Sequence, residues 1–78
     1  MQHAQLVVDL EEEILDYLSR HPDAADDREA IFQFWIVRER FLRGLEALDD
    51  ALTTLVSRDV LEKIRLPGGR LIFRRKQP

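Results

Sequence analysis

The chain predicts an α+β fold, with helices first and a β-hairpin last, and three observations carry that reading. Apolar residues recur at helical spacing through most of the stretch from Leu6 to Ser57. Two short alternating runs follow, separated by Pro67-Gly68-Gly69. The charge divides at the same place. From Val60 to Pro78 six basic residues (Lys63, Arg65, Arg70, Arg74, Arg75 and Lys76) stand against one acid, Glu62; from Met1 to Asp59 fourteen acids stand against six arginines.

The first helix is expected from Leu6 to Arg20. Leu6, Val7, Leu10, Ile14, Tyr17 and Leu18 fall on one stripe, with Asp9, Glu12, Glu13, Asp16 and Ser19 opposite. Arg20 suits the negative end of the helix dipole. Pro22 ends the helix, because a residue before proline is pushed out of the α region. His21–Asp27 reads as a turn. Asp26 or Asp27 is placed to cap a second helix, with Glu29 three residues after Asp26 as in a capping box.

In that second helix Ile31, Phe34 and Trp35 form the expected inward face, and Phe32 and Ile36 point elsewhere. Arg38–Arg43 fits an extension of the helix, a short strand or a turn. After Gly44 the third helix runs from Leu45 to Ser57, with Leu45, Leu48, Leu52 and Leu55 as its apolar stripe. Val60–Leu66 and Arg70–Arg75 form the hairpin. Gly68-Gly69 supplies two positive φ angles for a two-residue type I′ turn. Ile64, Leu66, Leu71 and Phe73 are then the buried face. Residues 1–5 and 76–78 are expected to be disordered ends.

At 78 residues, 45% hydrophobic and 35% charged, the chain makes one small domain spanning 1–78. It has no cysteine, which removes disulfides and thiolate metal sites. The polar, acidic start is unlike a secretory leader, and no apolar run is long enough to span a membrane. A cytoplasmic location is expected. The net charge of −3 opposes general binding to phosphate backbones, with the hairpin as a local exception.

The Ala51-Leu52-x-x-Leu55 run, then Arg58-Asp59, then Val60-Leu61 entering a hairpin that turns at Pro67-Gly68-Gly69, resembles the winged helix-turn-helix superfamily. The resemblance covers nearly the whole chain. It implies three helices followed by a two- or three-stranded β-wing, with an extra short strand placed between the second and third helices. Many members have glycine at the turn from the third helix into the strand. Here Arg58-Asp59 stands there, so an Asp or Arg takes the left-handed position, or the turn differs. The family implies a third helix in the major groove and a wing on the backbone or minor groove. That role carries over to Arg65, Arg70, Arg74 and Arg75. It does not carry over to the third helix, whose exposed centre is Glu46, Asp49, Asp50, Thr53 and Ser57, without one lysine or arginine.

Two function classes follow. The first is a non-catalytic interaction module, a protein–protein adaptor or accessory regulator, binding a protein partner or a second copy. Its candidate surface is Phe32, Trp35 and Ile36 together with Glu46, Asp49 and Asp50. The second is a DNA-binding transcriptional regulator led by the basic wing. The bland readings are that wing cations blunt an edge strand and that the aromatic cluster is core. No enzyme is expected: His3 and His21 have no partner at useful spacing, and Gly68-Gly69 belongs to a turn, not a phosphate loop. No cofactor, metal, small-molecule substrate or membrane is expected.

Overall fold

A computed structural model describes residues 2–36 and 45–77. In chain order they form α1 (Gln2–Arg20), β1 (Ala25–Asp26), α2 (Arg28–Ala30) running into a π-helical turn (Ile31–Trp35), α3 (Leu45–Ser57), β2 (Leu61–Arg65) and β3 (Leu71–Arg75). The fold is α+β, with helices packed on a three-stranded antiparallel sheet of order β1-β3-β2. The undetermined stretch 38–43 lies outside the described residues, as does any strand between the second and third helices. The third strand that is seen comes earlier, between the first and second helices.

α1 begins at Gln2, ahead of the expected start at Leu6, so residues 2–5 are helical rather than disordered. Gln5 donates to the Asp9 carboxylate one turn on, and the His3 ring is bonded to the Asp50 carboxylate of α3. Further along, Arg58 donates to Glu11 at 3.2 Å. Both contacts join residues 47 apart in sequence, so α1 and α3 run side by side in the same direction. Leu10, Ile14 and Leu18 of α1 meet Leu48, Ala51, Leu52 and Leu55 of α3 in the core, joined by Ala47, Leu61 and Phe73.

The turn after α2 corrects one face. In a π turn each residue sweeps a smaller angle than in an α-helix, so the residue three beyond Ile31 swings outward. Ile31 and Trp35 are buried, whereas Phe34 is 65% exposed. Ile36 leaves the turn in extended backbone (φ −121°, ψ 143°) and turns its side chain inward. Trp35 is buried as its inward-face reading has it and Ile36 is buried as well, so neither belongs to an interaction surface, and Phe32 is half-buried against the core.

α3 keeps its expected bounds and ends in a Schellman motif. Asp59 N–H donates to the Val56 carbonyl and Val60 N–H to the Leu55 carbonyl. Asp59 sits at φ 61°, the left-handed position that helix ends more often give to glycine. A side chain there costs roughly 1–2 kcal/mol, and glycine's greater freedom in the unfolded chain takes part of that back. Asp59→Gly is expected to stabilise the domain by about 0.5–1 kcal/mol, read as a Tm rise of a few degrees. A fall in Tm would show that the Lys76–Asp59 contact matters more than the backbone.

The hairpin turn also differs from the expected type I′. Gly69 N–H donates to the Leu66 carbonyl, and Leu66 N–H donates to the Arg70 carbonyl, so three residues form the loop. Pro67 occupies the second position of the turn, and Gly68 at φ +92° occupies the third, which requires positive φ in a type II turn. Gly69, at φ +88°, completes the reversal. The added loop residue shifts the register by one. Lys63 stands opposite Phe73, and Ile64 opposite Ile72. Leu71 and Phe73 remain on the inner face, while Ile64 moves to the outer one. The ladder continues past β3, since Lys76 N–H donates to the Val60 carbonyl.

Candidate interaction cleft

The start of α2, the second half of α3 and the β2–β3 hairpin enclose a cleft of about 610 Å³. Its apolar lining is Leu52, Val56, Leu71 and Phe73. Thr53 and Ser57 add hydroxyls, and Asp27, Arg28, Glu29, Asp49, Lys63 and Arg70 form the charged rim.

Two ties hold the walls. Asp27 is the N-cap of α2, where its carboxylate accepts from the Ala30 N–H at 2.9 Å. The other oxygen of that carboxylate accepts from Arg70 Nε at 3.0 Å, so one side chain caps the helix and tethers the hairpin. Arg28 Nε donates to Asp49 Oδ1 at 2.6 Å, joining α2 to α3, and a second guanidinium nitrogen reaches Glu29. Exposed pairs of this kind add little stability singly. Their effect here is on the charge of the rim, where the three acids and two of the three cations are already engaged with one another.

The Ala30 N–H holds the Asp27 carboxyl below its ordinary range against the opposing effect of burial, and Arg70 adds to the lowering. Its contribution to stability is therefore present above the usual carboxylate pKa and is lost as pH falls through the lowered folded value. Asp27→Asn is expected to flatten the acid side of the Tm–pH curve below about pH 4. Curves that stay parallel in acid would refute this. Asp49 holds the Arg28 guanidinium above its already high value, so the Arg28 side of that pair stays charged.

The residues singled out from the sequence are divided by the structure. Asp49 lies in the cleft; Glu46 and Asp50 are exposed elsewhere on α3, with Asp50 bonded to His3. Arg70 lines the cleft and Arg74 is paired with Glu62 across the hairpin. Arg65 and Arg75 are exposed and have no ion pair among the described residues, and the same holds for Lys63. Arg28 and Lys63 are rim residues that pattern reading missed. Only the capping position of Asp27 was signalled by spacing.

Among the described residues no three His, Asp or Glu side chains converge on a metal position, and no helix is long and apolar enough to cross a membrane. What the geometry defines is an α+β domain with an open, apolar-floored cleft between a helix and a hairpin. Comparison with protein-family models, curated proteins and solved structures returns no match.

Proposed function

We propose that the chain is a winged helix-turn-helix domain working as a non-catalytic protein–protein interaction module, an adaptor or accessory regulator that seats a protein partner in the cleft between α3 and the wing. The cleft itself carries this reading. An apolar floor ringed by groups that already neutralise one another is suited to a desolvated protein contact. It is poorly suited to a phosphate lattice, which needs uncommitted cations. Of the arginines the family resemblance assigns to DNA, Arg70 and Arg74 are bound to Asp27 and Glu62. The exposed end of α3 presents Glu46 and Asp50, which repel phosphate.

A second reading rests on Arg65 and Arg75, which meet no acid among the described residues. In it the wing leads a DNA-binding regulator, with these arginines on phosphates or in a narrow minor groove.

Titrating isotope-labelled protein with mixed-sequence duplex DNA, at low and then physiological salt, separates the two. The adaptor reading expects no amide shifts, or wing shifts erased by salt. A wing that neutralises phosphates weakens by about 0.9 log units per tenfold salt for each phosphate. Shifts across Arg65–Arg75 and α3 that persist at physiological salt would overturn the adaptor reading.

A further inference from the structure

The order β1-β3-β2 leaves β2 on the outside, and no strand among the described residues covers its far edge. The ladder bonds show which backbone groups face out. Leu66 N–H donates to the Arg70 carbonyl, and Lys76 N–H to the Val60 carbonyl. Hydrogen-bonded and non-hydrogen-bonded pairs alternate in an antiparallel ladder. With the observed register, Glu62 and Ile64 therefore bond to β3. The N–H and C=O groups of Lys63 and Arg65 point away from the sheet at exposed residues, whereas Leu61, which faces the same way, is buried.

The side chains along this edge alternate in chemistry as well. Lys63 stands opposite Phe73 and Arg65 opposite Leu71, on the inner face. Both cations are exposed, and neither meets an acid among the described residues. On the outer face Ile64 stands opposite Ile72. Both are half-buried, and neither packs into the core. An approaching strand thus meets free backbone groups, two cations on one side and an apolar pair on the other.

We propose that β2 is a docking edge for an extended acidic segment of a protein partner, which joins the sheet as a fourth strand. Backbone pairing supplies the affinity in this mode of recognition, and alternate side chains supply the selection. Carboxylates at every second position meet Lys63 and Arg65. Apolar residues between them extend the Ile64–Ile72 face. A second copy is a poor occupant, because β2 paired with β2 about its centre sets Lys63 against Lys63, and like charges directly opposite destabilise a sheet. The cations that keep the edge from pairing with itself are the ones that select an acidic strand. The inference rests on the protein-partner reading for the class of partner, but it uses the edge of β2 and not the floor of the cleft.

The test uses a synthetic peptide of alternating Glu and Val, titrated into the full labelled chain at low ionic strength. Hydrogen exchange is expected to slow at the amides of Lys63 and Arg65, with the already bonded Glu62 and Ile64 amides little changed. The paired substitution Lys63→Glu with Arg65→Glu should weaken binding by about tenfold, the combined effect of two cross-strand charge pairs. It should also confer binding of a Lys/Val peptide, a gain that loss of folding cannot mimic. Thr53→Gln, which crowds the cleft without adding charge beside Lys63, should leave the titration unchanged, so a failure of the cleft reading and a failure of the edge are read separately. No slowing at the Lys63 and Arg65 amides, or equal binding of the Glu and Lys peptides by the unaltered chain, would overturn the proposal.

Discussion

Leu48→Ala is expected to remove about 3–4 kcal/mol of folding free energy, which is most of what a domain of this size possesses. Leu48 lies in the first turn of α3, has no exposed surface and sits in the shared core of α1 and α3. Truncation removes the transfer free energy of the lost carbons and leaves a cavity that two parallel helices, fixed at both ends, are poorly placed to close. The expected result in urea is a midpoint shifted far down, or a chain already unfolded without denaturant. Val8→Ala on the exposed side of α1 is the control; at 46% exposure its cost should stay within about 0.5 kcal/mol. A loss at Leu48 no larger than the control's would mean that the α1–α3 contact is not the centre of the core.

Trp35 carries the second large effect, and two substitutions separate its parts. Its ring stacks on Tyr17 with centroids 4.8 Å apart and planes within 8°. Its indole N–H donates to the Asp26 carboxylate at 2.9 Å. Asp26 belongs to β1, whose two residues pair only with Phe73 and Arg74. Trp35→Ala should cost about 3–5 kcal/mol, as other buried large aromatics do. Trp35→Phe keeps most of the apolar area but leaves a half-buried carboxylate without its donor, at roughly 1–2 kcal/mol. The distinguishing observation is local. In the Phe variant the β1 amides should exchange faster while the α1 and α3 amides keep their order. Uniform loss of protection would show that the hydrogen bond supports the whole domain and not the strand.

Those two residues also mark where the sequence was and was not legible. α3 was legible to its last residue because four leucines keep one stripe over the whole length, and helical periodicity needs no partner to be seen. The start of α1 was missed because residues 2–5 show no apolar rhythm; the His3–Asp50 contact joins them to a residue 47 positions away. The π turn was hidden in Ile31–Ile36, where β-branched and aromatic residues suit several backbones. β1 is two residues long and is defined by β3, not by its own composition.

The hairpin shows how little separates a right element from a wrong face. Strands and turn were read in the right places, but a two-residue loop at Gly68-Gly69 would have set Ile64 opposite Phe73. Pro67 joins the loop, and the pairing becomes Ile64 with Ile72. One residue of register moved Ile64 and Leu66 off the inner face. The cleft was not legible at all. It depends on Arg28 meeting Asp49 and Arg70 meeting Asp27, at separations of 21 and 43 residues, and single-sequence periodicity carries no information about such meetings. Trp35 and Ile36 follow the core reading of the aromatic cluster and not the surface one.

The parallel run of α1 beside α3 has a consequence for how the chain reaches this state. Two helices that point the same way cannot close as a hairpin around a short turn. Each contact along their seam needs the ends of a 47-residue loop to meet, and the entropy of that closure must be spent before the first contact repays it. The β2–β3 hairpin, closed by three residues, can form in microseconds on its own. The slow step of folding therefore belongs to the long-range closures, α1 beside α3 and β1 onto β3, and not to the hairpin.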